Sequence, residues 1–253
     1  MSGASFVTGD GVEVPAVSST QMREVDRVAI EETGPNLYQM MENAGRNLAR
    51  MAMRTMGAGW RDATIVVLAG TGGNGGGGIC GARHLVNHGG NVAVVVSQES
   101  RLREVPAQQL AVYRATGGQV LGQGDLADLG PSLIVDAVLG YSLSGPPQGD
   151  ALHLLEWVVS QTGQVLSLDV PSGIDSTTGI APGAHVTASK TMTLALPKTG
   201  LAATAVGDLW LADIGIPQGV YQRLGLDVPV EVFGDDFIVP IHQTSVPSSG
   251  DMG

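Results

Sequence analysis

The sequence holds a single cysteine, Cys80, in 253 residues, which excludes an intrachain disulfide. A lone cysteine in an apolar, helical-looking stretch reads as a buried structural thiol rather than a nucleophile. Long apolar runs are missing as well. No stretch approaches the ~18 consecutive apolar residues of a membrane span, and Met1 to Pro15 lacks the basic start and apolar core of a secretory leader. A cytoplasmic chain that binds no membrane is expected. Basic residues are scarce: 13 Lys and Arg stand against 24 Asp and Glu, for a net charge of −11. Such a surface repels nucleic acid and anionic lipid, so a nucleotide ligand would have to be met by backbone N–H groups or a bound cation. What is present is 43% hydrophobic residues, 15% charged residues and 37 glycines, which suit a folded α/β protein rich in tight strand-to-helix turns.

The pattern along the chain supports one domain over residues 18–239, with residues 1–17 and 240–253 expected to fray. Ser18-Ser19-Thr20 cap a helix whose apolar residues, Met22, Val25, Val28, Ala29 and Ile30, recur at three- and four-residue spacing as far as Gly34-Pro35. A second helix runs from about Asn36 through Met40, Met41, Ala44, Leu48 and Met51. Apolar runs then recur at 64–69, 91–97, 133–139, 165–170, 190–196 and 209–214, several of them separated by plausible helices. Strands that are apolar throughout are buried on both faces, which predicts an α/β fold with a mostly parallel sheet and ligands at the carboxyl ends of its strands.

The segment Gly70-Thr71-Gly72-Gly73-Asn74-Gly75-Gly76-Gly77-Gly78 lies between the strand run 64–68 and a helical stretch from Ile79 to Leu85. Strand, glycine loop and helix in that order make a phosphate cradle, because backbone can approach a ligand closely beside a helix N-terminus. Gly70, Gly72 and Gly75 satisfy a dinucleotide fingerprint, yet the following strand ends Val96-Ser97-Gln98, without the acid that holds a ribose in dehydrogenases. Asp136 and Asp169 interrupt apolar runs near their ends, and a charge in such a place needs a partner, a ligand or the open end of a strand. Asn74, Asp136 and Ser172 offer oxygen ligands with one formal charge, a donor set suited to a hard monovalent cation such as potassium. His84 and His88 share a helix face, but no third ligand has zinc-site spacing, and neither is assigned a role.

Several strings together resemble the NAD(P)H-hydrate epimerase family, also called the YjeF N-terminal domain family, over roughly residues 19–217. They are Gln21-Met22-Arg23-Glu24-Val25-Asp26, Met40-Met41-Glu42-Asn43-Ala44-Gly45, the glycine loop with Ala82-Arg83-His84-Leu85, and Val135-Asp136-Ala137-Val138-Leu139-Gly140. Beyond these come Ser144-Gly145-Pro146-Pro147, Asp169-Val170-Pro171-Ser172-Gly173-Ile174-Asp175, Leu196-Pro197-Lys198-Thr199-Gly200-Leu201 and Ala212-Asp213-Ile214-Gly215-Ile216-Pro217. The resemblance implies a Rossmann-like three-layer αβα sandwich, usually dimeric, that interconverts the R and S epimers of NADH or NADPH hydrated at C6 of the nicotinamide ring. This is a metabolite-repair reaction. It also implies potassium ligands at Asn74, Asp136 and Ser172. Substrate-binding residues would be Gly73, Asn74, Gly75, Gly76, Gly77, Gly140, Tyr141, Ser142, Leu143, Ser144, Gly145, Pro146 and Asp169. Asp169 is the expected acid/base, with Asp136 kept ionised by the cation. The dehydratase to which some members are fused is expected here as a separate protein. Lys198 and Asn43 belong to the strings without an assigned role.

The family typically carries Asn-Asn-Gly-Gly-Asp-Gly where this chain has Gly73-Asn74-Gly75-Gly76-Gly77-Gly78. One amide and one carboxylate are missing, each worth ~1–3 kcal/mol if it contacts the ligand. Two readings stay open: an epimerase, and a weakly active or non-catalytic nucleotide-binding module of the same fold.

Overall fold

The computed structural model describes residues 5–202 and 206–244. One ten-stranded sheet runs through the molecule in the order β2-β1-β10-β9-β8-β7-β6-β3-β4-β5. Its elements in chain order are β1 (Ser5–Thr8), β2 (Glu13–Pro15), α1 (Ser19–Val28), α2 (Leu37–Met56), β3 (Thr64–Ala69), α3 (Gly73–Asn87), β4 (Asn91–Val96), α4 (Glu104–Ala115), β5 (Gln119–Leu121), β6 (Leu133–Ala137), α5 (Gly149–Val159), β7 (Gln164–Leu168), β8 (Lys190–Leu194), β9 (Asp208–Ala212), α6 (Gln218–Arg223) and β10 (Ile238–Gln243).

From β5 through β9 every pairing is parallel. The parallel strands are buried on both faces because alternate side chains meet different helices. Ile65 and Val67 of β3 pack into a core with Leu48 and Met51 of α2, Ile79 of α3 and Leu110 of α4. Val66 and Leu68 face a second core with Leu154, Leu155 and Val158 of α5. A period of two along a strand therefore produces helix–sheet–helix layering. The sequence-based fold class holds.

Strand β3 is the turning point: the chain builds outward through β4 and β5 on one side, then returns to β6 and continues through β7 to β9 on the other. Such a switch opens a crevice between the carboxyl ends of the two strands that flank it. Helix starts match the sequence signals, with capping boxes at Ser18/Gln21 and Asn36/Gln39. The last turn before Gly34 widens into a π-helix over Ala29–Thr33.

Three expectations need correction. Residues 5–8 and 13–15, expected to fray, form β1 and β2, and β10 reaches Gln243; the rest of the termini lies outside the described residues. The runs expected to reach 139, 170 and 196 leave the sheet at 137, 168 and 194. The helix after the glycine turn begins at Gly73 rather than Ile79. Glycine is a poor helix former, but here packing decides: a Cβ on Gly75 would collide with the Gly70 carbonyl, and one on Gly78 with the Ala137 side chain.

Candidate functional site

Four strand ends meet at the crevice. After β3, the Gly70 N–H donates to the Ala137 carbonyl at 3.0 Å, tying together the two strands that flank the switch. Gly72 then stands at the N-cap of α3 with no side-chain cap, so the first N–H groups of that helix lack a side-chain acceptor.

After β6 comes the oxygen-rich corner. Asp136 is fully buried, and its carboxylate accepts four hydrogen bonds: from Ser172 Oγ at 2.5 Å, Ser172 N at 2.8 Å, Ser167 Oγ at 2.8 Å and Val138 N at 3.4 Å. Burial pushes this carboxyl up and the serine hydrogen bonds pull it back; no basic side chain contributes. Asn74, in the first turn of α3, has a buried Nδ2 with no partner. It lies across Gly140 from Asp169, since a Cβ on Gly140 would come within 3.2 Å of both Asn74 Cγ and Asp169 Oδ2. Turning the amide over would offer its oxygen instead. The Asp136 carboxylate and the Ser172 hydroxyl are in contact, and Asn74 adds an unpartnered amide on the cavity wall; oxygen donors of this kind suit a hard monovalent cation.

After β7 stands Asp169. It is 3% exposed and has φ +70°, a left-handed conformation unusual for a side chain with a Cβ, and the following Val170 N–H reaches back to the Leu168 carbonyl at 2.9 Å. The neighbouring strand repeats the device: Ala195 has φ 62° and Leu196 N–H donates to Leu194 O at 2.7 Å. Two adjacent strands thus end in tight, strained turns, and strain of this kind gathers at functional sites. The second turn leads to Lys198, which is 1% exposed and pairs with Asp169 Oδ1. The Lys198 ammonium also donates to Leu194 O at 2.8 Å, while Val17 bridges its backbone through Val17 N–Pro197 O and Thr199 N–Val17 O. Asp169 Oδ2 accepts from Tyr141 N at 3.0 Å, and Tyr141 Oη donates to Asp26 Oδ2 at 2.5 Å. Burial raises the Asp26 carboxyl, with Tyr141 and the Lys198 charge opposing the rise. Burial and the Asp26 charge push the Tyr141 phenol well above its usual range, so it remains a donor.

Asp26, Asn74, Tyr141, Asp169 and Lys198 line a cavity of about 680 Å³, a size suited to a small-molecule site. Of the sequence candidates, Gly73, Asn74, Gly77, Gly140, Tyr141, Ser142 and Asp169 line it. Gly75 and Gly76 are buried in α3, Gly75 against the Gly70 carbonyl and Gly76 beside Met41. Leu143, Ser144, Gly145 and Pro146 continue outward from Ser142 in exposed or half-exposed positions. Asp136 and Ser172 sit together behind the wall at Val138 and Leu139. Asp26 and Lys198, which stood in the family strings without a role, line the same cavity.

Two polar groupings on α2 are structural. Glu42, Cys80 and His84 gather closely enough to hold a metal, so His84 does find further ligands in space. The centre, however, is taken by Arg83 Nη2, 2.5 Å from Glu42 and 3.3 Å from both Cys80 Sγ and His84 Nε2. A protein cation occupies the place. Burial and the Glu42 charge push the Cys80 thiol up to about 12, in keeping with an inert thiol. Asn43 and Asn47 of α2 donate to the carbonyls of Ile214 and Asp213, clamping the helix to the segment after β9.

An open α/β sheet with an acid- and lysine-lined cavity at its switch point defines the class: a Rossmann-like protein with a small-molecule site at the carboxyl ends of its strands. Residues 37–200 match the family described as YjeF-related protein N-terminus, and the chain belongs to that family. It is 45% identical over 221 residues to an NAD(P)H-hydrate epimerase of Dehalogenimonas lykanthroporepellens, covering 87% of this chain and 90% of that one. It is 37% identical to the bifunctional NAD(P)H-hydrate repair enzyme of Salinibacter ruber, covering 83% of this chain and 42% of that longer one. The crystal structure of yeast ynu0 superposes with a TM-score of 0.80 at 25% identity, over 90% of this chain and 100% of that one.

Proposed function

We propose that the protein is an NAD(P)H-hydrate epimerase, an isomerase that interconverts the R and S forms of NADH or NADPH hydrated at C6. The observation that carries the reading is the buried Lys198–Asp169 pair opening on the cavity between the glycine turn and residues 138–142, in a chain whose relatives are named for this activity. The ring nitrogen expels the C6 hydroxyl once that oxygen takes a proton, leaving an iminium that water attacks to give either epimer. Asp169 transfers the proton. Lys198 holds one oxygen of its carboxylate and Tyr141 N–H the other, so the group is oriented before substrate arrives. The N–H groups at the start of α3 receive phosphate. Asp136, Ser172 and Asn74 would hold a potassium ion, whose positive charge would keep Asp136 ionised.

The protein works in the cytoplasm as a homodimer and hands its product to a second repair activity; relatives named as bifunctional NAD(P)H-hydrate repair enzymes support that coupling. In the test, the protein is mixed with one purified epimer, with potassium present, where spontaneous epimerisation is slow. The expected result is rapid approach to the epimer mixture, with kcat reduced on the order of 10²–10⁴-fold in Asp169→Asn. No acceleration over buffer by the unaltered protein overturns the assignment. Bare glycines at 73 and 77, both on the cavity wall, favour one second reading, a weakly active nucleotide-binding module.

A further inference from the structure

Epimerisation at one carbon poses a geometric problem. The leaving oxygen departs from one face of a planar ring and the entering water must arrive on the other. A carboxyl fixed as firmly as Asp169 reaches one face of a bound ring. Either the ring turns over between the two half-reactions, or a second proton carrier stands on the far side. Inverting glycosidases meet the same need with two carboxyls set far enough apart to admit a water.

The cavity carries two further carboxyls on its wall: Glu104, exposed and accepting from the Tyr38 hydroxyl, and the more deeply placed Asp26. Asp26 lies on its wall together with Asp169, and the two are held at opposite ends of one residue: the Tyr141 backbone N–H binds Asp169 Oδ2 at 3.0 Å and its phenol binds Asp26 Oδ2 at 2.5 Å. Tyr141 is itself fixed, its carbonyl accepting from Ser176 Oγ at 2.7 Å and its ring lying under the Lys198 ammonium, 5.8 Å from the centroid. One rigid residue therefore sets the separation of the two carboxyls by its own length. Asp26 has no basic partner among its hydrogen bonds, whereas Asp169 is paired with Lys198. The two acids differ in environment as an acid and a base should.

We propose that Asp26 is a second catalytic residue, transferring the proton on the face of the nicotinamide ring opposite to that served by Asp169; this rests on the epimerase reading. In one direction Asp26 gives its proton to the C6 oxygen as the C6–O bond breaks and the ring-nitrogen lone pair forms the N1=C6 bond. Water then adds to C6 from the other face, the N1=C6 electron pair returns to nitrogen, and the proton released by that water passes to Asp169. Reversal uses the same groups in exchanged roles. The balance is one proton moved from one carboxyl to the other, and bulk water restores it before another turnover in the same direction. Burial, which raises the Asp26 carboxyl, suits a group that must hold a proton ready near neutral pH.

The experiment follows each purified epimer in ¹⁸O-water, reading C6 oxygen exchange and inversion in the same sample. In the unaltered protein, exchange and inversion accompany one another from either epimer. In Asp26→Asn, inversion falls on the order of 10²-fold in both directions, while one epimer still exchanges its oxygen with retained configuration; in Asp169→Asn the other epimer does so. A merely structural role for Asp26 lowers exchange and inversion together and overturns the proposal, as does inversion at the unaltered rate. If Asp26→Asn gives no folded protein, Asp26→Glu decides: a changed exchange-to-inversion ratio supports the proposal and an unchanged one overturns it. Failure of the unaltered protein to invert or exchange at all strikes the epimerase reading instead.

Discussion

At the scale of single residues, the Lys198–Asp169 pair sets both stability and chemistry. A buried carboxylate stripped of its partner is far more costly than a pair replaced as a whole, so Lys198→Met should lower the unfolding free energy by about 3–5 kcal/mol. The double variant Lys198→Met with Asp169→Asn should recover most of that loss; urea unfolding of the single and double variants measures both. Asp136 and Asp169 were legible in the sequence because a charge inside an apolar run demands an explanation. Lys198 and Asp26 stood in the family strings but their roles were not legible, because their partners lie far away in the chain: Asp169 is 29 positions from Lys198, and Tyr141 is 115 positions from Asp26. A pairing at that separation has no local signal.

At the scale of elements, the start of α3 is the informative case. Its glycines read as a loop, yet Gly73 to Gly78 are helical because α3 packs tightly enough against the turn and the sheet to exclude side chains at Gly75 and Gly78. Gly73 and Gly77 differ. A Cβ on Gly73 meets nothing within 4 Å, and one on Gly77 meets only the Leu168 Cδ2 methyl at 3.0 Å. Gly73→Asn and Gly77→Asp are therefore expected to fold, to raise the helix propensity of the first turn and to place two polar groups on the cavity wall. Steady-state kinetics distinguish the two readings: a large rise in kcat/KM marks the natural turn as weakened, whereas little change marks a working variant. The central βα alternation was readable because strands covered on both faces are apolar throughout. The outer strands β1, β2 and β10 were not, since they are short, carry polar residues or proline, and acquire strand character only by pairing.

At the scale of the whole molecule, β1 and β10 pair antiparallel in the register Phe6 with Gln243 and Thr8 with Ile241, and β10 also pairs with β9. The last strand thus lies between the first strand and the rest of the sheet. A chain growing from its N-terminus must therefore hold the hairpin of β1 and β2 without a sheet to join, and the outer side of β9 stays unpaired until residues 238–243 emerge. Exposed strand edges promote association between chains. Shortening the chain to end at residue 237 should accordingly leave the distant catalytic strands in place but cause the protein to associate, a change that light scattering during synthesis or refolding would register. The first strand of the sheet finds its neighbour only once residues 238–243 have been made.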